Sequence, residues 1–319
     1  MKRILDKRKF NSADWQEYRQ NEKRIGGSDV ATILNLNPYK SAFVLWLEKT
    51  GQIQPKPVEN EYVEWGNILE PIIRDKFKRE TGFKVFQNNF VLQHETHEFM
   101  IANVDGEVID PAFGGKRGVL EIKTASERMK NNWENGCPNN YMLQIQHYLA
   151  CLNYEYAYVA VLIGGNHFKY YLIHRDEYII DTIISAEMNF MNMVKNMIPP
   201  EIGGTESESQ WLASAFPEAI DQEKYLSADL EEMAGEYGRL QGLIKELQSE
   251  ADQIKNQLKL EAKENKFLVG NELKITLPTI KKVTFDSKRF AGDHPDLYKQ
   301  YKTKESSYRG FTISMIKGG

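Results

Sequence analysis

Gly118-Val119-Leu120-Glu121-Ile122-Lys123-Thr124 reads as a β-strand that carries an acid and an amine two residues apart. Successive strand residues face opposite sides, so Glu121 and Lys123 project together while Leu120 and Ile122 point into the protein. Sixteen residues earlier, Phe99-Met100-Ile101-Ala102-Asn103-Val104-Asp105 reads as a second strand, ending on Asp105. Upstream, a third carboxylate, Glu70, sits on a helical pattern in which Trp65, Leu69, Ile72, Ile73 and Phe77 recur at helical spacing. Pro71 lies inside that pattern, so the helix either kinks there or restarts with the proline at its first position. The spaced carboxylates are the ligand set of a magnesium-dependent nuclease.

The chemistry explains the residue types. Hydrolysing a phosphodiester requires charge on the phosphorane to be neutralised and a water to be deprotonated near neutrality. Mg²⁺ does both and keeps several waters of its own, so two carboxylates and a backbone carbonyl suffice as protein ligands. Asp105, Glu121 and the Ile122 carbonyl fill those places; Lys123 orients the attacking water and stabilises the transition state. Glu70 binds a second metal or orients metal-bound water. Asp110 competes with Asp105 as ligand, and the glycine after Asp105 favours the latter. In the helix expected over 140–151, Gln144 and Tyr148 are four apart and share a face from which both can contact the site or DNA; Gln146 joins them as a DNA-contacting candidate.

Working outward, a helix is expected over 13–23, then the glycine turn Arg24-Ile25-Gly26-Gly27-Ser28-Asp29, with Ser28 as N-cap of a helix over 29–35. Another helix spans 42–49. Strands at 156–163 and 167–174 flank Gly164-Gly165-Asn166, a helix covers 177–197, and 203–209 reads as a connection. From Leu226, residues Leu230, Met233, Tyr237, Leu240, Ile244, Leu247, Ala251, Ile254 and Leu258 alternate spacings of four and three, a heptad seam. It serves equally a helix on the protein's own core, a hairpin, or a coiled coil with another chain. Strands at 272–277 and 280–285, a short helix near 294–301 and a strand at 310–316 follow.

Composition bounds the class. The chain has 319 residues, 41% hydrophobic, and only two cysteines, too few for a disulfide framework or a four-cysteine metal site. The N-terminus has no apolar targeting core and no apolar run reaches membrane-spanning length, which predicts a cytoplasmic protein. Net charge is −4, yet residues 266–319 hold eleven Lys and Arg against five Asp and Glu, interleaved with Tyr298, Tyr301, Tyr308 and Phe311. That alternation suits a surface tracking a nucleic-acid backbone.

The ordered set of Arg24-Ile25-Gly26-Gly27-Ser28, Trp65-Gly66-Asn67-Ile68-Leu69-Glu70-Pro71, Asn103-Val104-Asp105-Gly106, Leu120-Glu121-Ile122-Lys123-Thr124 and Gln144-Ile145-Gln146-His147-Tyr148 resembles the PD-(D/E)xK nuclease superfamily. Within it, the likeness is to the phage lambda exonuclease-like, YqaJ-type viral recombinase family. The resemblance implies an α+β (α/β) fold: a restriction-endonuclease-like core of mixed β-sheet flanked by helices. To it the chain adds a long C-terminal helix and a small β-containing extension, with boundaries expected at 1–202, 203–265 and 266–319. It implies an ATP-independent, Mg²⁺-dependent 5′→3′ exonuclease, with Mn²⁺ a possible substitute. One strand of linear double-stranded DNA is digested, leaving the 3′ strand for a single-strand annealing protein in phage-type recombination. It further implies a homo-oligomer, a trimeric ring, in a bacterial host. By the same resemblance Arg24 and Ser28 hold the 5′-terminal phosphate, as a helix N-terminus and a guanidinium do. The family's Ser-Pro-Asp is Asn103-Val104-Asp105 here, and Asn103 can still donate to a phosphate. A restriction-like endonuclease and a non-catalytic DNA-binding protein are the competing readings.

Overall fold

The computed structural model describes residues 1–9, 24–54, 60–302 and 308–314; the helix expected at 13–23 lies outside them. Two compact units are present, Met1–Ser214 and Ala215–Gly319. In the first unit, β1 (Lys2–Asp6) and β2 (Ile25–Gly26) precede α1 (Gly27–Ile33), α2 (Ala42–Lys49) and α3 (Glu61–Thr81). Next come β3 (Lys84–Gln87), β4 (Phe90–Gln93), β5 (Met100–Ala102), β6 (Gly106–Ile109) and β7 (Arg117–Ala125). After α4 (Asn139–Leu152), β8 (Tyr156–Ile163), β9 (His167–His174), α5 (Glu177–Asn196) and α6 (Glu206–Ala215) complete it.

The strands make two sheets, ordered β3-β6-β7-β8-β9 and β1-β4-β5-β2. β7 and β8 run parallel, with Glu121 opposite Val159 and Lys123 opposite Val161. A parallel pair requires a long crossover, and here α4 lies within it. On one face of the central strands Ile145, Tyr148 and Leu149 of α4 pack against Val119, Val159 and Val161. On the other, Ile73 and Phe77 of α3 pack against Leu120, Ile122 and Tyr158. The sheet is therefore a middle layer, which is why β8 is an almost unbroken apolar run. Glu121 and Lys123 do share a face, as alternation predicts, but that face is covered too.

Several elements depart from expectation. The first strand is shorter than 99–105: β5 ends at Ala102, and Asp105 stands in the three-residue link before β6. There the chain leaves one sheet and enters the other. α3 runs continuously through Pro71, capped by the Asn60 side chain accepting from Val63 N at 3.0 Å, and stops at Gly82 (φ 68°). Only Ile73 and Phe77 of its expected core stripe are fully buried; Trp65 and Ile72 are exposed. The stretch 203–209 is not merely a connection: α6 begins at Glu206, and Glu208 accepts from the amides of Gly203 and Thr205. Trp211 of α6 packs edge-on against Phe43, so residues 203–214 group with the first unit.

The second unit holds α7 (Ala228–Ala262), the antiparallel hairpin of β10 (Phe267–Val269) and β11 (Lys274–Thr276), α8 (Ser287–Asp293) and α9 (Pro295–Tyr301). Residues 280–285 form no strand, nor do 310–314. Every seam residue from Leu230 to Leu258 is exposed. Tyr237 meets the ring of Phe311, 5.2 Å between centroids. Among the described residues no helix is long and apolar enough to cross a membrane.

Candidate active site

The link between the two sheets is where the expected ligands meet. Beyond Gly106, which pairs with Leu120, the β6–β7 ladder ends. The Asp105 carboxylate takes over the next place, accepting from Ile122 N at 2.7 Å. Glu121, 3% exposed, receives the Lys123 ammonium at 2.6 Å and the Gln144 amide at 2.8 Å, both on Oε1. Lys123 also donates to Gln144 Oε1 at 3.2 Å and lies over the Tyr141 ring, 5.0 Å from its centroid. Gln144 bonds Tyr148 Oη at 2.9 Å. Glu121, Lys123, Gln144 and Tyr148 thus form one connected cluster, and Asp105 adjoins it through the Ile122 amide.

Electrostatics follow from that crowding. Burial, then the Asp105 and Glu70 carboxylates, push Glu121 up to about 8. Burial raises Asp105 as well, against the pull of Lys123, the Ile122 amide, Lys7 and Arg74. Burial and the Asp105 charge raise Glu70. Burial opposes charge on Lys123, but Glu121 and Asp105 raise it overall. Three carboxylates that hold on to protons in an enclosed space are a site short of positive charge.

The fit to a divalent cation rests on one atom. Glu121 Oε2 is buried and has no hydrogen-bond partner, a costly state that a cation would relieve. Glu70, by contrast, is paired with Arg74, which also donates to the Asp105 carbonyl. Among the described residues no three His, Cys, Asp or Glu side chains are drawn together tightly enough to hold a metal. A hard cation held by Asp105, Glu121 and the Ile122 carbonyl, with waters, is consistent with this donor set. Glu70 adjoins it through charge.

A cavity of about 200 Å³ runs from these carboxylates to the glycine turn; its lining includes Gly26, Gly27, Ser28, Asn103, Asp105, Glu121, Gln144 and Tyr148. Gly27 is required for the close approach of α1 to α4: a Cβ there would stand 2.6 Å from the Tyr148 ring and 3.0 Å from Gln144 Cγ. Ser28 is not the N-cap. The cap is Gly26, whose amide is bonded at 3.2 Å by Asp29, and Lys49 pairs with Asp29 at 3.3 Å. Ser28 is thereby left at the cavity. Arg24, half-buried before β2, has its carbonyl held by Lys49 but does not line the cavity.

One expectation is corrected, and one alternative is located elsewhere in the fold. Gln146 is 1% exposed and turned away, its amide donating to the His174 carbonyl and its oxygen accepting from Asp176 N. It locks α4 to the end of β9 and does not reach the cavity. Asp110 is also a fold residue: it accepts from Tyr158 Oη at 2.8 Å and Ala112 N at 2.8 Å, holding the β6–β7 connection. Asp110 therefore stands apart from the cavity, which Asp105 lines. Sequence reasoning missed Arg74 and Lys7. Arg74 had a signal, since a residue four beyond Glu70 shares its helical face. Lys7, which donates to Asn103 Oδ1 at 2.7 Å, had none, because a long-range β-pairing brings it there.

Comparison with known proteins places the chain. Residues 14–155 match the model of the YqaJ-like viral recombinase domain. Over 303 residues the chain is 35% identical to the uncharacterized protein YqaJ of Bacillus subtilis (strain 168), covering 93% of each. The chain belongs to the YqaJ-like viral recombinase family. Another relative of this YqaJ-like chain is uncharacterized protein R354 of Acanthamoeba polyphaga mimivirus, 31% identical over 150 residues and covering 26% of that protein. Among solved structures it resembles an alkaline exonuclease from Laribacter hongkongensis, at 20% identity and a TM-score of 0.47, over 64% of this chain and all of that one.

Proposed function

We propose that this YqaJ-like protein is a Mg²⁺-dependent, ATP-independent 5′→3′ exonuclease that digests one strand of linear double-stranded DNA. The observation that carries the reading is the continuous cavity joining the Gly26–Ser28 turn to Asp105, Glu121 and Gln144. A terminal-phosphate pocket and a metal-binding carboxylate pair in one small enclosure suit cleavage next to a 5′ end. An endonuclease has no need of such a pocket.

The residues take these roles. Asp105, Glu121 and the Ile122 carbonyl would hold the ion, which when bound would supply Lewis acidity and lower the pKa of water near the phosphate. Lys123, fixed by Glu121, Gln144 and the Tyr141 face, donates to the non-bridging phosphoryl oxygen where negative charge develops. Gln144 keeps Lys123 and Glu121 in register, and Tyr148 fixes Gln144. Glu70, screened by Arg74, orients water beside Asp105. Ser28 and Asn103 bind the 5′-phosphate, with Arg24 at the mouth of the turn. The family resemblance supports a homo-oligomeric ring, a cytoplasmic setting and a single-strand annealing protein that takes the 3′ strand.

The test uses duplex DNA labelled at one 5′ or 3′ end, with a closed circle beside it, in Mg²⁺ or EDTA. The expected result is Mg²⁺-dependent mononucleotide release from 5′-phosphorylated ends only. Cutting of the closed circle overturns the exonuclease reading in favour of an endonuclease; no hydrolysis by folded protein overturns the nuclease reading.

A further inference from the structure

Lys7 is a basic side chain that reaches the carboxylate cluster from outside the matched family domain, which begins at residue 14. Its backbone is fixed: β1 pairs antiparallel with β4, and Lys7 N donates to the Asn89 carbonyl at 2.8 Å. In the same sheet β4 pairs with β5, and β5 pairs in parallel with β2. One sheet therefore carries Lys7 at the end of β1, Asn103 just after β5 and the glycine turn at the end of β2. The Lys7 ammonium donates to Asn103 Oδ1 at 2.7 Å and approaches the Val104 carbonyl at 3.4 Å.

That first bond has a chemical consequence. An ammonium has donors only, so the amide of Asn103 must present its oxygen to Lys7. Its nitrogen is left over; among the described residues no group bonds Nδ2, and Asn103 lines the cavity between the glycine turn and the carboxylates. Free to rotate, an asparagine amide offers either a donor or an acceptor, and an acceptor repels an anion. Locked by Lys7, it offers two N–H groups.

We propose that Lys7 is a positioning residue that fixes the Asn103 amide as a donor for the terminal phosphate of the DNA strand. The Lys7 charge adds to this. It acts on Asp105, Glu70 and Glu121, so it also lowers the cost of bringing an anion beside three carboxylates. The inference rests on the exonuclease reading for the identity of the ligand, a phosphomonoester at a DNA 5′ end. It differs from that reading in assigning the pocket's selectivity to a residue that does not itself line it.

The experiment measures binding and hydrolysis separately on duplexes ending in 5′-phosphate or 5′-hydroxyl. Binding is read by fluorescence anisotropy in EDTA, so it needs no turnover; hydrolysis is read in Mg²⁺. Variants are Lys7→Met, Lys7→Arg, Asn103→Asp, Asn103→Ala and the double Lys7→Met/Asn103→Ala, each checked for folding by thermal unfolding. The expected result is that Lys7→Met cuts the phosphate-over-hydroxyl preference about ten- to a hundredfold, the size of one hydrogen bond to a charged group. Lys7→Arg restores most of it. Asn103→Asp can still accept from Lys7, keeping the fold contact, yet loses the preference because it offers no donor. The double variant is no worse than Asn103→Ala, since the two act as one unit.

A Lys7→Met protein that keeps the full preference overturns the proposal. So does one that weakens both ends equally, which marks a structural role, or a double variant with additive losses. Phosphate-selective binding by wild-type protein that never hydrolyses DNA overturns the exonuclease reading and leaves the Lys7 assignment to be decided by the binding ratios alone.

Discussion

The two units of the chain treat their apolar residues in opposite ways. In Met1–Ser214 the central strands are covered on both faces, and Ile145, Leu149, Val119 and Phe77 are almost completely shielded. In Ala215–Gly319 the apolar seam of α7 is exposed along its length, and Ala262 is the one described residue that is buried. Full burial of a large aliphatic side chain stabilises by about 1.5–3 kcal/mol, so the first unit has a core of its own and α7 draws little from packing. The difference teaches where precision can be stored. A lysine and two carboxylates can be held to tenths of an ångström only where the surrounding layers are rigid, and the cluster of Asp105, Glu121 and Lys123 sits between two such layers.

The contrast can be broken or sharpened by substitution. Lys123→Ala removes a donor aimed at developing charge and is expected to cut hydrolysis about a thousandfold, roughly 4 kcal/mol, as for other transition-state donors. Steady-state kcat/KM on a linear duplex checks it. Ile145→Ala opens a cavity under β7 and should cost about 3 kcal/mol of stability in denaturant unfolding. Loss of under about 1 kcal/mol there would mean the layer is looser than its burial indicates.

Next in size is a pH effect. Glu121 is raised from 4.5 to about 8, so between those values the folded, metal-free protein holds a proton that the unfolded chain has released. Metal-free stability contributed by this group is therefore lost as pH rises toward 8, and below 8 metal loading must expel the proton. As pH increases toward 8 the half-saturating Mg²⁺ concentration should fall by up to about tenfold per pH unit, and it should level off above pH 8. A flat profile would show that Glu121 is ionised before the metal arrives. The smallest effect belongs to the second unit: Leu247→Ala on the exposed seam should change monomer stability by under about 0.5 kcal/mol. A loss comparable to that of Ile145→Ala would show that the seam is buried in solution.

What the sequence revealed follows from the range of the interactions involved. β7 was legible because alternation is a two-residue rule, and the pairing of Lys123 with Glu121 follows from it. Gln144 with Tyr148 was legible for the same reason on a helix. Gln146 was misassigned against a local rule: two residues along a helix is about 200° around it, so it cannot share the face of Gln144. α6 was also within reach, because Thr205-Glu206-Ser207-Glu208 is a capping box, with Thr205 Oγ1 accepting from Glu208 N and the Glu208 carboxylate accepting from Thr205 N. Ser28 looked like a cap because it precedes an apolar helix, but the helix starts a residue earlier, at Gly27, with Gly26 as its cap and Asp29 accepting from the Gly26 amide. Lys7 was illegible. Its role depends on β1 pairing with β4 more than eighty residues away in the chain, and no short window of sequence contains that information.

The most direct test of the central claim is the rate at which 5′-phosphorylated linear duplex is degraded in Mg²⁺ by the wild-type protein and by Glu121→Gln. Glutamine matches glutamate in size and keeps the contact with Lys123 possible, so the fold is preserved while the second ligand oxygen is lost. The account predicts brisk hydrolysis by the wild type and only background from the folded variant. A folded Glu121→Gln protein that digests DNA at the wild-type rate would contradict it.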